Sequence, residues 1–260
     1  MGMEADPKRP QGSGFGAGAE GPAQSARLAR WTGLLRTGGS AALGSVALIV
    51  VQLVVFIVWP PVHTVVDVFG LMNENPVLGL LSMDVLLLVN NLLTWLLYLG
   101  LGVVLWPVSR SAVTLVVGLG TLQMAAYTAS NPALDLLTLA RLHAAAAADE
   151  RAALAAAGEA VLARWNGTAF VTYYLLGAVM LLILAWLLRR SAAFSRATAA
   201  WALAAGVLML VPSSFGTVGM VLALASLVPW SVLCVMAGRR LLGLAGCRLG
   251  IGRRDLPGPR

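Results

Sequence analysis

The chain is poor in charge, in lysine, in histidine and in cysteine, and each scarcity closes off a class of protein. Charged residues are 11% of the 260, against roughly a quarter in soluble domains. So few hydrated groups cannot cover a water-facing surface, which excludes a soluble enzyme fold, and a chain 59% apolar is not a disordered protein. Lys8 is the lone lysine among 18 cationic residues, a bias that points to a GC-rich, bacterial genome. Cys234 and Cys247 form no CxxC pair and join no Cys/His ligand set, which excludes a disulfide framework and a structural zinc site. No GxxxxGKS/T, HExxH or GxSxG motif occurs, so no catalytic residue and no cofactor is expected. Ser213 and Ser214 follow Pro212, but no base is recognisable for a serine nucleophile.

What the chain does have is long apolar runs. Six lie at about 40–59, 84–106, 111–130, 168–188, 197–214 and 216–237, each near the roughly 20 residues a helix needs to cross a bilayer core. Backbone groups in lipid must be satisfied within the segment, and strand alternation is absent, so helices rather than a barrel are expected. The fifth run is the weakest, with Arg196 at its edge and Pro212 at its far end. The predicted fold is all-α: a polytopic transmembrane bundle of six spans within residues 28–245. A disordered cytoplasmic tail (1–27) precedes it and a basic cytoplasmic tail (246–260) follows. Residues 1–27 carry neither the apolar stretch nor the cleavage site of a signal peptide.

The charges orient this map. The net charge of +7 would suggest nucleic acid in a soluble chain, but here the basic residues flank apolar runs, so no nucleic-acid partner is expected. With both termini inside, fifteen of the eighteen cations fall on the cytoplasmic side, leaving Arg141, Arg151 and Arg164 outside. Most acids go the other way, including Asp67, Glu74, Asp84, Asp135, Asp149, Glu150 and Glu159. The positive-inside pattern predicts a multi-pass protein of the bacterial plasma membrane. Residues 60–83 read as lying along the membrane surface. Residues 131–167 read as an extracytoplasmic helical segment between spans three and four, capped by Asn131, opened by Pro132, and restarting near Asp149 as a hairpin. Its apolar positions, among them Leu134, Leu137 and Leu142, suggest contact with the bundle or the lipid interface.

Ionisable residues inside the spans are almost absent; Asp84 and Arg196 stand only at span ends. That counts against a pump or voltage sensor that relies on buried charge. Neutral polar residues form a tier instead. At 1.5 Å per residue, Gln52, Asn90, Asn91, Gln123, Thr172, Tyr173 and Tyr174 fall about 6–12 Å below the outer boundary, with Thr94 one turn below Asn90. The inner half offers little beyond Ser45, Thr114, Thr198 and Ser231. Two readings stand open: interhelical hydrogen bonding, or a cavity open to the outside that these side chains line as a ligand site. His63 and Asp67 share a helical face, and His143 lies on the same side, but no metal-ligand spacing is present.

Three segments carry a resemblance. RWTGL before the first run, NPALDLLTLARLHAAA after the third and LVPWSVLCVMAGRRLLGL at the end are similar to a bacterial multi-helix membrane family known only as a domain of unknown function. The similarity covers about residues 28–245 and implies six helices and no assignable catalytic residue. The expected function is a non-enzymatic membrane protein, acting through helix packing with a membrane-protein partner or through small-ligand binding. The alternative is a transporter or permease with an outward-facing cavity lined by spans one to four.

Overall fold

The computed structural model describes residues 22–60 and 64–246, and all regular secondary structure among them is helical. A short helix α1 (Pro22–Arg30) leads into α2 (Thr32–Val58). Two short helices follow, α3 (Val65–Glu74) and α4 (Pro76–Ser82), then the antiparallel pair α5 (Val85–Leu105) and α6 (Arg110–Ser130). The hairpin α7 (Ala133–Ala145) and α8 (Ala148–Trp165) comes next. The chain closes with α9 (Thr168–Arg190), α10 (Arg196–Leu208) and α11 (Gly216–Gly246).

Six of these helices form a ring. α2 packs on α5, α5 on α6, α6 on α9, α9 on α10, α10 on α11, and α11 returns to α2. Five of the helices, α2, α5, α6, α9 and α11, are long and apolar enough to cross a membrane. Their outward faces leave Ile57, Leu122, Val218 and Val228 exposed, an apolar belt of the kind that mates with lipid or another protein rather than water. Small residues let the axes close: Gly38 on α2 sits against the backbone of Leu96 and Gly100 on α5, and Gly39 against Gly238 on α11.

The helix bounds differ from the sequence reading in informative places. α10 is an apolar helix of 13 residues, about 20 Å long. It ends at Leu208 rather than near residue 214: the Met209 amide closes the last helical turn on Ala205 O, the Leu210 amide tightens to Val207 O, and Pro212 lies beyond. α1 begins at Pro22, inside the stretch read as a disordered tail, and Arg27 there donates to Val103 O on α5 at 3.0 Å. Serine hydroxyls cap α6 and α10, which start at the same end, Ser109 accepting from Ala112 N and Ser195 from Thr198 N.

The ring has two unlike ends. Arg36, Arg110, Arg189, Arg190, Arg196, Arg239 and Arg240 stand near helix termini at one end, the arginine end. Its interior is filled by one apolar core that includes Leu97, Leu101, Leu181, Leu184, Leu188 and Leu233. The other end carries a cap of α3, α4, α7 and α8, and all acids among the described residues lie there. The cap has its own core, in which Val68, Phe69 and Met72 pack with Leu136 and Ala140. Thus residues 64–82 are two helices docked on α7, and 131–167 is a helical hairpin. Leu137 packs on the cap core, whereas Leu134 and Leu142 are exposed.

Candidate functional site at the capped end of the ring

The site grows from the turn between α4 and α5. Asp84 adopts φ 58°, the left-handed conformation that an aspartate tolerates better than most L-residues. Two amide side chains hold the turn from either side. Gln52 on α2 donates to Leu81 O at 3.3 Å, and Asn131 at the end of α6 donates to Met83 O at 2.8 Å. Asn131 also accepts from Ala133 N at 3.1 Å, so one side chain starts α7 and fixes the turn.

This geometry turns the Asp84 carboxyl inward. As a residue Asp84 is half-buried, but its Oδ1 is sealed from solvent and has no hydrogen-bond partner. Asp84 lies one residue ahead of α5, and loss of hydration there pushes its carboxyl from the ordinary range up to about 7.

The tyrosines form a connected aromatic wall. Tyr127 and Tyr173 stand 4.9 Å apart between ring centroids, and Tyr173 meets Tyr174 edge-on at 5.4 Å. Phe170 closes on Tyr174 at 5.2 Å. The Tyr174 hydroxyl donates to Ser213 Oγ at 3.2 Å, in the turn between α10 and α11. Ser213 and Ser214 line a cleft of about 510 Å³ together with Asn166, Gly216 and Thr217, and Ser214 Oγ is buried without a partner.

The tier read from the sequence is only partly one site. Gln52 reaches the Asp84 turn, whereas Tyr173 and Tyr174 belong to the aromatic wall beside Ser213. Asn90 instead accepts a 2.6 Å hydrogen bond from Ser45, within the α2–α5 interface. Ser45 therefore stands level with Asn90 rather than in the inner half, because α2 begins at Thr32 and not near residue 40. The Gln123 amide lies on Gly177, where a Cβ on α9 would stand. Asn91 and Thr94 are buried in α5, and Thr172 is half-buried on α9. Of the residues considered for metal, Asp67 accepts from the Thr64 hydroxyl at the start of α3, and the His143 ring packs on Phe69 at 5.2 Å. His63 lies outside the described residues. Among the described residues no group of three or more His, Cys, Asp or Glu is placed to hold a metal ion.

Asp84, Tyr127, Ser213 and Ser214 were not among the site residues read from sequence. Asp84 did carry a signal, as the one acid at the edge of a long apolar run, but its inward turn depends on Gln52 and Asn131 from distant parts of the chain. No protein-family model, no curated protein and no solved structure matches the chain.

Proposed function

We propose that the protein is a non-enzymatic, multi-pass protein of the bacterial plasma membrane that binds a small ligand at the mouth around Asp84. In this reading the arginine end faces the cytoplasm and holds both termini, the cap is extracytoplasmic, and α10 with the residues up to Pro212 makes a sixth, shallow crossing. The separation of arginines from acids supports that orientation.

One observation carries the ligand-binding part: a carboxylate beside a membrane-crossing helix whose buried oxygen has no partner. A buried carboxylate oxygen without a partner is costly, and such groups cluster where a protein acts. Interhelical adhesion does not account for Asp84, since adhesion is supplied by pairs such as Ser45 with Asn90. Transport is the second reading. The leucines that fill the arginine end favour binding over passage, because they offer a polar solute no surface to follow.

Thiol labelling tests the outward mouth. With Cys234→Ala and Cys247→Ala as background, Thr217→Cys in the cleft reacts with a membrane-impermeant maleimide on intact cells. Labelling only after the cells are opened would place the mouth on the cytoplasmic side and reject the reading.

A further inference from the structure

At the arginine end a groove of about 480 Å³ opens between α2 and α5, lined by Arg36, Thr37, Ser40 and Ala41 of the one and Leu93 and Leu96 of the other. Its shape follows from the packing. The two helices close to main-chain distance at Gly38, where a Cβ would meet Leu96 O at 2.8 Å, and the short side chains of Thr37, Ser40 and Ala41 leave the space beside that contact open. The lining is sorted by chemistry along the helix axis. Arg36 stands nearest the helix end, about one turn inside the start of α2 and close after the exposed Trp31. Ser40 follows one turn further in, about 6 Å along the axis. α5 runs antiparallel to α2, with Leu96 level with Gly38 and Leu93 beside Gly44, so Leu93 lies deepest. The order is therefore a cation, then hydroxyls, then leucines. The Thr37 hydroxyl donates to Gly33 O at 3.0 Å, which leaves its oxygen to accept. Arg36 is exposed, and all acids among the described residues lie at the opposite, capped end of the ring.

We propose that this groove binds an anionic phospholipid, its phosphate on the Arg36 guanidinium and the Ser40 hydroxyl and an acyl chain over Leu93 and Leu96. The inference goes beyond the ligand reading at the Asp84 end and rests only on α2 and α5 crossing a membrane. A guanidinium donates to phosphate oxygens in pairs, and its long stem lets it reach headgroup level from a helix position one turn inside. The other arginines of this end add a field that attracts anionic headgroups. The Thr37 oxygen is placed to accept from a headgroup hydroxyl. A free phosphate would use Arg36 and Ser40 but leave the leucines uncovered. A second copy of the chain is disfavoured by charge: a two-fold pairing of this face sets Arg36 against Arg36, and like charges repel strongly where water is scarce.

Native mass spectrometry of the full-length protein in detergent tests this, with palmitoyl-oleoyl phosphatidylglycerol and the phosphatidylcholine of the same chains as probes. The wild type retains the anionic lipid in preference to the zwitterionic one by about fivefold or more, the difference a single arginine supplies. Arg36→Gln lowers that preference below about twofold, while Arg36→Lys, which keeps the charge, retains most of it. Arg189→Gln, at the same end but on α9 across the ring from α2, leaves it unchanged. Ser40→Leu fills the groove without changing charge and lowers retention of both lipids. Arg36 and Ser40 are exposed, and thermal unfolding of each variant checks that it is folded. Equal retention of the two lipids by the wild type overturns the proposal. So does a preference that survives Arg36→Gln, or one that Arg189→Gln abolishes equally. Displacement of the lipid by inorganic phosphate at equal concentration would assign the groove to a free anion instead. A disulfide-linked dimer of Ser40→Cys on oxidation of membranes, in the background lacking Cys234 and Cys247, would assign it to a second copy; either result rejects the lipid. These readouts are independent of the labelling of Thr217→Cys, so either reading fails without the other.

Discussion

Gly39 and Gly238 lie against each other's backbone: a Cβ on either would meet the other's carbonyl oxygen at 2.9 Å. The relation is mutual, so α2 and α11 touch at main-chain distance and neither can yield by moving a side chain. Helices in lipid associate largely through such close approach, because lipid tails compete equally for apolar side chains. Gly238→Val is expected to force the helices apart and cost about 1–3 kcal/mol. Gly243→Ala, also on α11 but with open space around it, is expected to stabilise by up to about 1 kcal/mol through helix propensity. Thermal or denaturant unfolding in one detergent compares the two. Equal effects would show that the crossing is not close-packed.

Ser45 and Asn90 supply the polar counterpart, joined at 2.6 Å inside the α2–α5 interface. Asn90→Leu should lower stability by about 1–2 kcal/mol. In a double-mutant cycle with Ser45→Ala, the two changes should cost less together than the sum of each alone. Strict additivity would mean that the hydrogen bond contributes nothing.

The Asp84 carboxyl makes stability depend on pH in a direction opposite to that of most acids. Burial raises it from 3.8 to about 7 in the folded protein. Between those values the folded state therefore binds the proton that the unfolded state has released. Stability from this group is full below about pH 4, falls as pH rises, and levels off above about 7. Gln52 and Asn131, whose amides hold the turn beside it, do not titrate. Asp84→Asn should flatten this component and stabilise the protein at pH 8, on the order of 4 kcal/mol at most. Melting curves of both proteins across pH 4–8 measure it. An unchanged pH slope in the variant would show that Asp84 is hydrated.

Much of the helical framework was legible because length and hydropathy suffice to mark an apolar helix. The run near 111–130 became α6 at Arg110–Ser130, and 84–106 became α5 at Val85–Leu105. The run near 197–214 was longer in hydropathy than in helix, since hydropathy does not register how Pro212 lets the chain turn at Leu208. Depth arithmetic set Ser45 apart from Asn90, which it meets at 2.6 Å, because glycines and Arg36 concealed the start of α2 at Thr32. The site itself was mostly illegible. Asp84 matters because Gln52 and Asn131 grip the turn beside it, and no local pattern records a grip made across 32 and 47 residues of chain.

We propose that the ring crosses the membrane with its arginine end inside and its Asp84 end outside. Single cysteines at two exposed positions test it most directly, Ala147→Cys between α7 and α8 and Arg190→Cys at the end of α9, in the background lacking Cys234 and Cys247. An impermeant maleimide on intact cells should label the residue-147 probe and spare the residue-190 probe until the cells are opened. Labelling of the residue-190 probe from outside, with the residue-147 probe protected, would contradict the account.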